Sequence, residues 1–110
     1  MIRKCRVRGL NILFYAAYDS QGRLVAYGLD PPLGAAYCIR GKGEFLAVDY
    51  IIVKPEQVAL AQAVISEPSM IYGMIGEWFR KSRYKYSARP IARSEIMWEE
   101  DENGMAGQSH

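Results

Sequence analysis

The chain has 110 residues, of which 50% are hydrophobic and 24% charged, and its formal net charge is +2. This length and composition fit one globular domain with a single core that needs no disulfide to stabilise it. No stretch reaches the roughly 18–20 apolar residues that a transmembrane helix requires, so a helical membrane span is excluded.

The charges are distributed unevenly along the chain. Residues 1–98 contain all 14 basic residues and eight acidic ones, whereas residues 99–110 contain four acidic residues and no basic one. This distribution is typical of a cationic body followed by an anionic tail. We therefore predict one domain over residues 1–98 and an acidic, disordered tail over residues 99–110.

Cysteine and histidine are too few for familiar metal or nucleophile chemistry. Cys5 and Cys38 lie 33 positions apart, and the one histidine is His110. This spacing fits no zinc motif and places no imidazole near a nucleophile. The N-terminal segment resembles the start of a secretory signal, but Asn11 interrupts its apolar run and no A-x-A cleavage pattern follows. We predict a cytoplasmic protein with buried free thiols and with neither metal nor cofactor.

Five segments have the residue pattern of β-strands. Basic and apolar residues alternate near the N-terminus, and β-branched and aromatic residues dominate the later segments. Connections such as DSQGR and GKG predict tight hairpins, because Asp and Gly favour turns. The predicted strands are 2–9, 11–18, 24–29, 35–40 and 44–53.

Two helices are predicted after the strands. The Ala-rich segment 55–66 begins with a proline, which is favourable at the first helical position, and a second helix starts at Pro68. Apolar residues then recur every three or four positions, which indicates one buried helix face. The fold class is α+β: a mostly antiparallel sheet of about five strands with two helices packed on one face. Residues 91–98 form a C-terminal edge strand or, alternatively, a short helix.

Candidates for catalysis are weak. Asp49 lies within the strand sequence AVDYIIV and could be half of a metal-dependent nuclease site. Such a site would add a second acidic residue two positions before a lysine. The residue two positions before Lys54 is Ile52, so the pattern is not present. We expect Asp49 to be paired or exposed near a sheet edge. The stretch RGKGE, residues 40–44, lies between two predicted strands, so it predicts a hairpin and not a phosphate-binding loop. The stretch GMIG, residues 73–76, has two apolar middle residues, which favours close helix packing over a GXXG loop that clamps nucleic acid. We predict no enzyme.

The stretch WFRKSRYKYSARPIAR, residues 78–93, combines six basic and four aromatic residues with no acidic one. Arginine and lysine bind phosphates, and tyrosines stack on bases, so the stretch is typical of a nucleic-acid-binding surface. A solvated helix end, favoured by the helix dipole, is the alternative. The candidate binding residues, including the basic face of the first strand, are Arg80, Lys81, Arg83, Tyr84, Lys85, Tyr86, Arg89, Lys4, Arg6 and Arg8.

The leading hypothesis is a non-catalytic module that binds nucleic acid, either without sequence preference or in a regulatory role, through this basic and aromatic surface. The alternative is a protein-interaction module, such as an inhibitor or accessory factor of the kind carried by mobile elements, with an acidic protein surface as partner. The acidic tail is either a competitor of the polyanion or a solubilising segment.

Overall fold

Seven antiparallel strands and two helices make up residues 1–99, the part of the chain that the computed structural model describes. The strands are β1 (Arg3–Val7), β2 (Leu10–Tyr18), β3 (Leu24–Asp30), β4 (Ala35–Gly41), β5 (Phe45–Ile52), β6 (Tyr86–Ala92) and β7 (Ile96–Trp98). The helices are α1 (Pro55–Ala63) and α2 (Pro68–Lys81), and a 3₁₀ turn covers Arg93–Glu95. The strand order is β6-β5-β4-β3-β2-β1-β7.

The sheet curls into a half-barrel. In a flat sheet of seven strands the two edge strands would lie about 29 Å apart, at roughly 4.8 Å per strand. The edge strands β6 and β7 are joined only by the turn Arg93–Glu95, which is far too short for that distance. The sheet must therefore bend until its edges approach, and the guanidinium of Arg89 on β6 in fact donates to the carbonyl oxygen of Arg8, at the end of the strand that pairs with β7, at 3.0 Å.

The prediction of an α+β fold with a mostly antiparallel sheet is confirmed, but the strand count of about five is wrong. The added strands, β6 and β7, both come from the C-terminal third of the described chain. β6 runs through Pro90, although the residue before a proline often marks the end of an element. An edge strand tolerates proline because one side of its backbone has no ladder partner to lose. The predicted edge strand over 91–98 is divided between the end of β6 and β7.

Apolar residues cover both faces of the sheet. The paired residues Cys5 and Phe14 belong to a cluster inside the curl, whereas Tyr15, the next residue of β2, joins a second cluster with Ile71 and Ile75 of α2. Strands buried on two faces read as continuous apolar runs, which explains the sequence of β2. Helix α2 contacts β2 and β3. The packing of both helices on one face stays a prediction.

The two thiols lie in different clusters and are free. Cys5 is in the inner cluster and Cys38 in the cluster that includes α2. Burial raises the pKa of Cys5 to about 11 and that of Cys38 to about 12. Both thiols are therefore neutral at physiological pH.

Two sequence predictions concern the membrane and the tail. No helix within residues 1–99 is long and apolar enough to cross a membrane. Glu99, the first residue of the predicted tail, donates its amide to the carbonyl oxygen of Lys4 at 2.9 Å. The rest of that tail, residues 100–110, lies outside the described residues.

Candidate nucleic-acid interface

The C-terminal end of α2 presents the first part of the candidate surface. Ile71, Ile75 and Phe79 are buried and hold one face of the helix against the sheet. Arg80 and Lys81 consequently project from the last turn, with side chains 68% and 67% exposed. Cations at this end of a helix are favoured by its dipole.

Glu77 partly neutralises these two cations. Its carboxylate accepts a hydrogen bond from the Arg80 guanidinium at 2.6 Å and lies 3.4 Å from the Lys81 ammonium. The hydrogen bond from Arg80, with help from Lys81, lowers the pKa of Glu77 to about 2. The triad is exposed to solvent, so a phosphate that offers more oxygens can compete with the carboxylate for both cations.

The chain that leaves α2 carries cations without carboxylate partners. Among residues 1–99, Arg83 and Lys85 form no ion pair, and the Lys85 ammonium donates to the carbonyl oxygen of Ser82 at 3.1 Å. Tyr84, between them, is 73% exposed. This short segment therefore offers two available positive charges and an aromatic face.

Tyr86 has a fixed position at the start of β6. Its ring stacks on that of Tyr50 with centroids 5.2 Å apart and planes 27° apart, and Tyr50 in turn packs on Tyr37 at 5.5 Å. These tyrosines are cross-strand neighbours in the register of β4, β5 and β6. Tyr37 belongs to the inner cluster, so this stack lies on the inner face of the sheet, opposite the face that α2 covers, and Tyr86 is 48% exposed there.

A groove of about 710 Å³ runs beside the end of α2. Arg40 of β4 contributes a third cation to it, next to Arg80 and Lys85. The sequence predicted that Arg40 ends the strand 35–40, but not that this strand end borders the same groove as α2. Its lining residues are Tyr27, Cys38, Arg40, Tyr72, Gly73, Gly76, Glu77, Phe79, Arg80 and Lys85.

Arg89 lies apart from this group. It faces the inner side of the curl, because it shares the strand face of Ile91, a residue of the inner cluster. Its guanidinium lies 3.2 Å from the carboxylate of Glu95 and donates to the carbonyl oxygen of Arg8 at 3.0 Å. These contacts place Arg89 at the junction of the two sheet edges.

The basic residues in and just after β1 form a second group. Lys4, Arg6 and Arg8 are exposed, and Arg6 pairs with Glu99 at 3.0 Å. Arg6 also lines a cavity of about 480 Å³ with Ile71, in the first turn of α2. Ile71 and Arg80 are separated by about 13 Å along the helix axis, at 1.5 Å per residue. Arg6 and the cations after α2 thus border different turns of this helix.

Asp49 has structural partners, as we expected. Its side chain is 19% exposed, accepts a hydrogen bond from the Ser87 hydroxyl at 3.3 Å and lies 3.8 Å from the Arg40 guanidinium. No group of three or more His, Cys, Asp or Glu residues within residues 1–99 is arranged to hold a metal ion.

The site is therefore a cationic surface with the exposed ring of Tyr84 at the end of α2, continued by a groove on the same face of the sheet, whereas Tyr86 lies on the other face. No family model, no curated protein and no solved structure matches the chain.

Proposed function

We propose that this protein binds single-stranded nucleic acid, without sequence preference, through the surface at the end of α2. The observation that carries this proposal is the exposed segment from Arg83 to Tyr86, in which cations and tyrosines alternate. Single strands are bound by grooves that combine positive charge along the backbone with aromatic rings for the bases. The start of this surface, at Arg80 and Lys81, adds further positive charge.

Each class of side chain has its own part in this proposal. Arg83 and Lys85 neutralise phosphates directly, and Arg80 and Lys81 do so when a phosphate displaces Glu77. Tyr84 stacks on a base, and Tyr86 does so where the strand passes around the edge strand β6 to the inner face of the sheet. Stacking is tolerant of sequence because every base has an aromatic face. No bond is made or broken, so the protein acts by holding the strand.

A salt titration of oligonucleotide binding tests the proposal. If about four phosphates are neutralised, the logarithm of the binding constant should fall with the logarithm of salt concentration at a slope near −3. Arg83→Glu should weaken binding and reduce the slope, whereas Lys42→Glu, an equal charge change at an exposed hairpin position, should do so much less. Absence of binding at low salt, or equal effects of the two variants, would refute the proposal.

A protein partner is the second candidate, and exposed apolar residues favour it. Phe45 is 73% and Ile52 63% exposed, at the two ends of β5 beside the edge strand β6. Large exposed rings near a strand edge are frequent at protein interfaces. An acidic protein surface would also complement Arg83 and Lys85. A partner that stays bound after nuclease treatment and is released by Phe45→Ser would favour this second function.

A further inference from the structure

The groove between α2 and the strands β3 and β4 has the size of a ligand site. Its volume of about 710 Å³ lies within the range of roughly 300–1,000 Å³ that is usual for small-molecule pockets. Its walls combine aromatic rings with charged groups, which is the usual composition of such pockets.

Two glycines of α2 shape the groove in different ways. A Cβ on Gly76 would stand 3.2 Å from the ring of Tyr27 and 3.4 Å from its hydroxyl oxygen, so the tyrosine occupies the space of the missing side chain. A Cβ on Gly73, one turn earlier, would meet nothing within 4 Å. Close helix packing, which we predicted for GMIG, therefore explains Gly76 but not Gly73, which leaves room beside the helix.

The aromatic wall of the groove is rigid. The ring of Tyr27 packs edge-on against Tyr72, with centroids 5.0 Å apart, and against Phe79 at 5.7 Å. Burial raises the pKa of Tyr27 to about 12, so its hydroxyl keeps its proton and remains a hydrogen-bond donor. A planar ligand would meet fixed rings and a hydroxyl donor on this side.

The cations of the groove favour a ligand that carries a negative charge. Arg40, Arg80 and Lys85 line the groove, whereas Glu77 is its one acidic lining residue among those described. Arg40 approaches Asp49 only to 3.8 Å, so its guanidinium retains hydrogen-bonding capacity. A ligand that joins a planar ring to an anion fits this combination, and a nucleotide is such a molecule.

We infer that the groove holds one nucleotide unit of the bound strand, with its base beside Tyr27 and Tyr72 above Gly73 and its phosphate at Arg40 and Lys85. This inference rests on the proposed function and adds to it a defined pocket for a single base. The exposed segment after α2 then binds the neighbouring phosphates.

Filling the groove is the direct test. Gly73→Leu places a side chain in the open space without a clash at its Cβ, and replacing an exposed helical glycine does not weaken a helix. Ser69→Leu is the matched control, because it adds a leucine to an exposed position of the same helix that does not line the groove. Fluorescence anisotropy compares the two variants with an oligothymidylate of about ten nucleotides and with an abasic oligomer of equal length.

We expect Gly73→Leu to weaken binding of the oligothymidylate by roughly five- to hundredfold, which corresponds to the loss of one stacked base. Binding of the abasic oligomer should change little, and Ser69→Leu should bind both probes like the unaltered protein. Arg40→Gln, which leaves the space open, should weaken both probes.

The remaining outcomes distinguish failure of the proposed function from failure of the groove inference. If the unaltered protein binds neither oligomer at low salt, the proposed function is refuted. If it binds both and Gly73→Leu binds the oligothymidylate as tightly as Ser69→Leu does, the strand is held elsewhere and the groove inference is refuted alone. Competition by free thymidine monophosphate, abolished in Gly73→Leu, would show that the groove recognises the nucleotide outside a strand.

Discussion

The guanidinium of Arg89 donates a hydrogen bond to the carbonyl oxygen of Arg8, 3.0 Å away, across 81 positions of sequence. The same side chain pairs with Glu95, whose carboxylate also accepts a hydrogen bond from the amide of Ala92 at 2.9 Å. Arg89 thus connects β6, the turn that follows it and the strand end at Arg8. We assigned Arg89 to the binding surface from sequence, and its contacts give it a structural role at the junction of the sheet edges.

Loss of the Arg89 side chain should destabilise the fold. Arg89→Ala removes a hydrogen bond to the backbone and a partly exposed ion pair, and we expect it to lower the free energy of unfolding by about 1–2 kcal/mol. Urea denaturation measures this change. Arg83→Ala, at a position with no ion pair within residues 1–99, should stay within about 0.5 kcal/mol of the unaltered protein. Equal stabilities of the two variants would contradict a closing role for Arg89.

Removal of the Glu77 carboxylate should strengthen polyanion binding. Glu77→Gln frees Arg80 and Lys81 from their carboxylate partner, so both cations become fully available to phosphates. We expect tighter oligonucleotide binding at low salt and a slope that is steeper by up to about one. Glu56→Gln, the same charge change on α1, controls for net charge, and a similar gain in that variant would show that the effect is not local.

Two glycine substitutions should have opposite effects on stability. A Cβ on Gly28 would lie 2.8 Å from the carbonyl oxygen of Leu13 and 3.1 Å from the ring of Phe14, so Gly28→Ala should destabilise the protein by about 1–3 kcal/mol. Gly73→Ala meets open space and gains helix propensity, which should stabilise the protein by about 0.5–1 kcal/mol. Thermal unfolding of both variants checks the signs, and a stabilising Gly28→Ala would refute the close packing of β2 and β3.

Stability should fall in alkaline solution because of the buried thiols. The pKa of Cys5 is raised from 9.0 to about 11 and that of Cys38 from 9.0 to about 12 by burial. Between pH 9 and these values the unfolded chain has lost the thiol protons and the folded chain has kept them. The stabilisation is therefore complete below pH 9 and declines by about 1.4 kcal/mol per pH unit for each thiol, up to about pH 11 for Cys5 and about pH 12 for Cys38.

Urea unfolding at a series of pH values measures this decline. Tyr27, whose pKa is also raised by burial, adds to it above pH 10. Cys38→Ala should flatten the pH dependence even though it lowers the stability at neutral pH. An unchanged slope in this variant would indicate that the thiol of Cys38 ionises in the folded protein as it does in the unfolded chain.

Local features of the sequence were sufficient to predict most individual elements. The alternation in β1, the Asp–Gly turn after Tyr18 and the apolar stripe of α2 each depend on residues a few positions apart. In the turn, the Asp19 carboxylate accepts hydrogen bonds from the amides of Gln21 and Arg23 at 2.8 and 2.9 Å, and Gly22 has a φ of +76°. Such interactions form within a short segment, so the residues themselves predict them.

The curl of the sheet could not be predicted from the same signals. It depends on β6 and β7, where the proline at position 90 and the shortness of β7 hide the strand pattern. It also depends on long-range contacts, such as that between Arg89 and Arg8, which leave no periodicity in the sequence. Two strand edges that meet in space are related only by the path of the whole sheet.

The sequence by itself determined the chemistry available to this protein: a cationic, tyrosine-rich segment after α2 and, in the described domain, no imidazole. Tertiary structure alone decided which charges act together. It placed Arg40, Arg80 and Lys85 around one groove, placed Arg89 at the junction of the sheet edges and placed Arg6 of β1 beside a cavity at the first turn of α2. The physical reason is that local pattern governs which face a side chain occupies, whereas strand pairing and sheet curvature govern which faces meet.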